Sequence, residues 1–293
     1  HVTDVLPVAG EKSTSSTVNR RDVCTVNYLF STRHTLNEIR VKQPATPYFK
    51  RTRKMQYIQY CDNYDVLSDR ASEQLITLIQ NKPDATICLA TGGTPLLTYR
   101  YFVEKINQRN IDFNRVVFVK LDEWVGIPLN SPATCESFLQ QHIAQPLGLR
   151  AEQLVGFQSE NVNEQECERI TEIIASRGGL DLCLLGIGKN GHLGLNEPTE
   201  LLEPFCHISV LEEKTRHHDM LKTAGSRVTH GITLGLKDIL NAKEILLLIA
   251  GEGKHDAVEK YLAASVTTTI PASFLWLHRN VSCLIDGSQY PDK

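Results

Sequence analysis

Three short stretches of this 293-residue chain carry side chains whose types and spacing could do chemistry. The first is Ala90-Thr91-Gly92-Gly93-Thr94-Pro95, with two glycines for a tight bend and two threonine hydroxyls. Placed between a strand and a helix, Thr91, Gly92, Gly93 and Thr94 could cradle a phosphate, because free helix-start amides and their dipole favour an anion. It is not a Walker loop, since no Gly-Lys-Ser/Thr follows. Alone, the motif also reads as a plain strand-to-helix turn. The second stretch is Lys120-Leu121-Asp122-Glu123-Trp124. Two adjacent carboxylates at the end of a buried strand are costly unless they are paired, solvated or used. A carboxyl shielded from water can have its pKa raised toward working pH, which suits Asp122 as a general base. The bland alternative is an exposed acidic loop anchored by Trp124.

The third stretch runs from Gly186 to Pro198, GIGKNGHLGLNEP. It contains a literal G-x-G-x-x-G after a strand, so dinucleotide binding has to be weighed. That fingerprint needs a helix opening at the loop, and His192, Gly194, Asn196, Glu197 and Pro198 make a poor one. No strand-terminal acid stands about 20 residues further on, where Cys206 and His207 lie. His192 and Glu197 fit better as an acid/base pair, the carboxylate orienting the imidazole and holding its useful protonation state.

These motifs need strands and helices to hold them. Apolar positions Val66, Leu67, Ala71, Leu75, Ile76 and Ile79 recur at helical spacing, which predicts a helix over Asn63 to Gln80. Further helices are expected at Leu96 to Ile106, with Pro95 in the first turn, at Thr134 to Ile143, Glu164 to Ser176 and Lys254 to Ala263. Short continuous apolar runs at Ala85 to Ala90, Val116 to Leu121, Leu180 to Leu185, Val228 to Leu234, Ile245 to Ile249 and Val281 to Ile285 read as buried strands. Strands alternating with helices predict an α/β fold, a doubly wound, mostly parallel sheet with helices on both faces. In such sheets ligands bind beyond the carboxyl ends of strands, where all three motifs fall.

Composition bounds the rest. With 41% hydrophobic and 22% charged residues the chain is ordinary for a globular protein, and no apolar run approaches the roughly 18 residues of a membrane span. The net charge of −3 argues against a nucleic-acid-binding face covering the whole protein. The charge is uneven: residues 1–54 hold ten Lys/Arg against four Asp/Glu, leaving 21 against 30 for residues 55–293. The first segment lacks periodicity, and a disordered or artefactual extension ahead of a single domain at 55–293 is expected. A transit peptide and a basic nucleic-acid or nuclear-import tail are the alternatives. The eight cysteines show no zinc-ligand spacing and no C-x-x-C pair, which favours a reduced, intracellular, cytoplasmic protein without a metal site.

Together, ATGGTP, KLDEWVGIP and LGIGKNGHLGLNEP resemble the glucosamine-6-phosphate deaminase/isomerase family over about Met55 to Asp286. Lys120 to Pro128, Gly179 to Pro198 and Gly231 to Leu240 look closest to its galactosamine-6-phosphate isomerase branch. The resemblance implies a Rossmann-like sugar-phosphate isomerase fold, also shared by 6-phosphogluconolactonases and by sugar-sensing domains of some regulators. It implies Asp122 as the base that moves a proton between C2 and C1, His192 as the group that opens the pyranose ring, and Glu197 as its partner. The Thr91 to Thr94 turn aligns with the phosphate loop, and Lys254 with a phosphate-binding lysine. Asn190 stands where one branch carries an aspartate beside the Gly-His pair, so His192 relies on Glu197 alone or on a mixed arrangement. For the family's second phosphate cation, Arg216, Lys222 and Arg227 are candidates, with Arg216 placed first. The implied partner is a small amino-sugar phosphate, with no cofactor, nucleic acid or membrane; the sequence leaves homo-oligomerisation open. Glucosamine 6-phosphate as substrate, lactone hydrolysis and a non-catalytic sensing module remain the rival readings.

Overall fold

The computed structural model describes residues 57–224 and 227–292, so the expectations for residues 1–54 lie outside the described residues. Along the chain run β1 (Tyr57–Cys61), α1 (Tyr64–Asn81), β2 (Thr86–Leu89), α2 (Gly93–Arg109), β3 (Val117–Lys120), β4 (Asp122–Val125) and α3 (Cys135–Leu139). A π-helical turn, Gln140–Ala144, continues α3 into α4 (Gln145–Leu147), followed by β5 (Leu154–Val155), α5 (Glu164–Ser176) and β6 (Leu182–Gly186). The remainder comprises β7 (His207–Val210), α6 (Glu213–Arg216), β8 (His230–Thr233), α7 (Leu236–Leu240), β9 (Glu244–Ile249), α8 (His255–Leu262) and β10 (Val281–Asp286).

Seven parallel strands form the main sheet in the order β1-β10-β9-β6-β2-β3-β5. Every residue of β2 is buried, as expected for a strand covered on both faces. From β2 the chain steps outward through β3 to β5; from β6 it steps the opposite way through β9 and β10. Right-handed crossovers therefore put α1 and α2 on one face and α5 and α8 on the other. The two directions part between β2 and β6, which is the switch point where such sheets bind ligands. Helix α1 starts at Asn63, whose Oδ1 accepts the Val66 amide at 3.0 Å, and it buries Leu67, Ala71, Leu75, Ile76 and Ile79 against the sheet.

Two expectations are corrected. Val228 to Leu234 does hold a strand, but β8 leaves the parallel sheet and forms the middle of a separate antiparallel one, β4-β8-β7. An apolar run reveals burial, not the neighbour that provides it. The cysteines are also not all free: Cys167 on α5 and Cys206 just before β7 form a disulfide, with Cα atoms 5.4 Å apart. They lie 39 residues apart in sequence, and only the packing of α5 against β7 brings them together. Among the described residues the five others, Cys61, Cys88, Cys135, Cys183 and Cys283, are free and buried. No described helix is long and apolar enough to cross a membrane.

Candidate active site

A cleft of about 490 Å³ opens at the switch point, lined from the ends of β2, β3, β6 and β9. Its wall at β3 is built by a change of sheet. The chain keeps its parallel pairing as far as Leu121, whose amide donates to the Leu89 carbonyl at 3.1 Å. Asp122 then begins β4 opposite Thr233 of β8. The Asp122–Glu123 pair divides its labour at this junction. Glu123 is fully buried and bonded to Lys120 Nζ at 2.7 Å, and its carboxylate accepts the amides of Trp124, Cys135 and Glu136. Lys120 also donates to Glu136 and to the Phe157 carbonyl; burial would lower its pKa, but Glu123 and Glu136 outweigh that and raise it. Asp122 has no such cation in contact. Burial raises its pKa to about 6, against a hydrogen bond from Cys135 that lowers it; Glu123 adds to the rise, while His192 and Lys120 oppose it.

The Gly186 to Pro198 loop forms the opposite wall. No helix opens within it, and its chain turns back on itself through a bridge between Leu193 and Asn196. Strand β8 anchors the loop: Leu195 N–H donates to Thr233 Oγ1, and Asn196 Nδ2 to the Leu234 carbonyl. One strand thus holds both Asp122 and the His192 loop. Gly194 allows this approach, since a Cβ there would lie 2.7 Å from Thr233 Oγ1 and 3.4 Å from Asp122 Oδ2. Gly188 makes room for the imidazole of His192, with which any Cβ would collide. His192 Nδ1 lies 3.4 Å from Glu197 Oε2 and 3.3 Å from Thr215 Oγ1. Burial raises the Glu197 pKa, but His192, Thr215 and Asn190 outweigh it and hold the carboxyl below its ordinary value. Asn190 Nδ2 donates to Glu197 at 2.8 Å and to Glu212 at 2.7 Å, while its Oδ1 accepts the His192 amide. The arrangement around His192 is therefore mixed, with an amide bridging two carboxylates.

At the cleft floor, Gly92 takes φ +100° and α2 begins at once with Gly93, leaving the first amides of a 17-residue helix without helical partners. Thr94 Oγ1 accepts from Lys254 Nζ at 2.8 Å and donates to the Ala250 carbonyl. Burial, with help from the charge of Lys189, lowers the Lys254 pKa to about 8. Arg216 is not brought to this floor: its Nε donates to the Leu211 carbonyl, and it is not among the residues lining the cleft. Lys222 pairs with Asp219 on the surface. The cleft cations are Lys189, Lys214 and Lys254. Sequence reasoning also missed Cys135, Thr215 and His218, none of which belongs to a motif. His218 Nδ1 accepts the Met220 amide at 3.3 Å, and its ring stands 5.7 Å from that of Trp124. Burial, reinforced by the charges of His192, Lys254 and Lys189 and opposed by Asp219, lowers its pKa to about 4, so the neutral ring carries its proton on Nε2. Among the described residues no group of three His, Cys, Asp or Glu is placed to hold a metal ion.

Residues 62–284 match the family model of glucosamine-6-phosphate isomerases and 6-phosphogluconolactonase. The chain belongs to this family. AgaI of Escherichia coli strain K12, a deaminase by name, is 65% identical over 232 residues, covering 79% of this chain and 92% of that protein. Glucosamine-6-phosphate deaminase 1 of Bacillus subtilis strain 168 is 34% identical over 232 residues, 78% of this chain and 96% of its own. Among solved structures, a monomeric glucosamine-6-phosphate deaminase superposes with a TM-score of 0.74 at 35% identity, over 78% of this chain and 97% of that one. A 6-phosphogluconolactonase from Thermotoga maritima reaches a TM-score of 0.61 at 20% identity, over 78% of this chain and 97% of that one, a likeness of fold alone. The chain is an enzyme of the amino-sugar-phosphate deaminase part of the family, with the mostly parallel α/β sheet that its neighbours share.

Proposed function

We propose that residues 55–293 form one catalytic domain that converts galactosamine 6-phosphate and water to tagatose 6-phosphate and ammonia. The observation that carries this reading is one cleft holding a buried carboxyl with a pKa of about 6, an imidazole–carboxylate pair and a helix start with a half-buried lysine. His192 takes the proton of the O1 hydroxyl and returns it to the ring oxygen, opening the pyranose. Asp122 then removes the C2 proton, leaving an enolamine across C1 and C2, and delivers the proton to C1. Water adds to the resulting imine carbon at C2, and ammonia leaves. Near neutral pH Asp122 is mostly ionised yet more basic than an ordinary aspartate, as a base working there should be. The Thr91–Thr94 turn and Lys254 hold the remote phosphate, and that binding orients the reacting carbons.

The galacto epimer rests on the resemblance of Lys120 to Pro128, Gly179 to Pro198 and Gly231 to Leu240 to that branch. Relatives such as those of Shouchella clausii and Clostridium perfringens, named as glucosamine-6-phosphate deaminases, are only 36% and 33% identical. Those same relatives favour glucosamine 6-phosphate as the second reading. Lactone hydrolysis would use a base for water and no shuttle at C2. Ammonia release from the two amino-sugar phosphates, measured side by side, tests all three. Faster release from the galacto epimer is expected; release from neither would sink the deaminase reading.

A further inference from the structure

The proposed reaction leaves one buried nucleophilic group beside Asp122 without a task. Cys135, the first residue of α3, is 1% exposed, and its Sγ lies 3.5 Å from Asp122 Oδ1. The same sulfur accepts a hydrogen bond from Thr91 Oγ1 at 3.1 Å. Burial first, then the charges of Glu123 and Asp122, keep the thiol far above its ordinary pKa, so it stays S–H and donates to the carboxylate. Its place is fixed from behind, because the amides of Cys135 and Glu136 both bind the Glu123 carboxylate at 2.9 Å.

We propose that Cys135 is a positioning residue for Asp122: its S–H, aligned by the Thr91 hydroxyl, ties down Oδ1 and leaves Oδ2 to take the substrate proton. Oδ2 is the oxygen turned toward Gly194 and the His192 loop. The inference rests on Asp122 being the base. It also makes the chain of hydrogen bonds continuous from the phosphate turn to the base, since Thr91 belongs to that turn. The other groups acting on Asp122 are Glu123, His192 and Lys120, with Cys88 and Tyr99 in the buried layer beneath. Replacing Cys135 changes none of them.

The test compares Cys135→Ala and Cys135→Ser in the full chain by ammonia release across pH. The alanine variant should lose about tenfold in kcat, the worth of one positioning hydrogen bond, with KM little changed. Its acid limb should move to higher pH, because the bond that lowers the Asp122 pKa is gone. The serine variant, which restores a donor, should recover most of kcat and bring the limb back. Wild-type kcat and acid limb in Cys135→Ala would overturn the proposal. So would equal loss in both variants with an unmoved limb, the mark of a merely structural residue. Where the alanine variant fails to fold, Cys135→Val, which fills the site without a donor, is read in its place: the same loss and the same shift are expected, and wild-type kcat and acid limb would overturn the proposal. Asp122→Asn is measured alongside: wild-type turnover there removes the base itself, while a dead Asp122→Asn beside a normal Cys135→Ala removes only Cys135.

Discussion

An ionised Asp122 is costly where it stands, since burial lifts its pKa from 3.8 to about 6. The folded protein therefore binds this proton more tightly than the unfolded chain does, and the cost of ionisation appears as pH rises from 3.8 through 6. Asp122→Asn removes that cost. The variant should match wild-type stability near pH 4 and exceed it above pH 6 by up to about 3 kcal/mol in urea denaturation, while its turnover is nearly abolished. An equal offset at all pH values would show that burial of the charge is not the cause. Lys254 gives the opposite dependence on ligand. With a pKa of about 8 it loses its charge as pH rises through that value, so affinity for inorganic phosphate should fall across the same range. Lys254→Met should weaken phosphate binding about tenfold or more and flatten that dependence, as calorimetric titration would record. Both residues were legible in the sequence because each follows a buried strand. Cys135 was not, because a thiol thirteen residues beyond Asp122 has no motif to announce it.

Among the elements, α3 owes its position to Glu123 rather than to its own length of five residues. The carboxylate takes two of the free amides at the helix start and neutralises Lys120 in the same contact. Glu123→Ala leaves three amides without their acceptor and Lys120 with only Glu136 and the Phe157 carbonyl. A loss of about 3–5 kcal/mol is expected, read as a lowered midpoint in thermal or urea unfolding. A loss under about 1 kcal/mol would mean that water replaces the carboxylate. The adjacent acids thus resolve into one structural and one candidate catalytic group, a division invisible in the sequence, where Asp122 and Glu123 look alike. Alternation of strands and helices made five strands of the main sheet readable, but not its short edge strands β1 and β5, which carry no continuous buried run. The β4-β8-β7 sheet was not, because β4 follows β3 after a single residue and β7 has exposed Ile208 and Val210 rather than a continuous apolar run.

At the scale of the molecule, the family match at residues 62–284 leaves the basic first segment outside the matched region. Deleting residues 1–54 should leave kcat and KM for amino-sugar phosphate unchanged; a large loss would assign the segment a part in the site. Among the described residues, those lining the cleft run from Tyr64 to Gln289. The cleft needs both directions of the sheet, and that dependence has a practical consequence. A cut at the exposed Glu160-Asn161 between β5 and α5 would leave Asp122, Cys135 and the Thr91 to Thr94 turn on one fragment. His192, Glu197 and Lys254 would fall on the other. The edge strand β1 pairs with β10, so the first fragment also needs the second to complete its own sheet. Neither piece carries a complete set of groups for the proposed ring opening and proton shift. Recovered turnover on mixing the two would then report reassociation directly, making the enzyme its own split reporter.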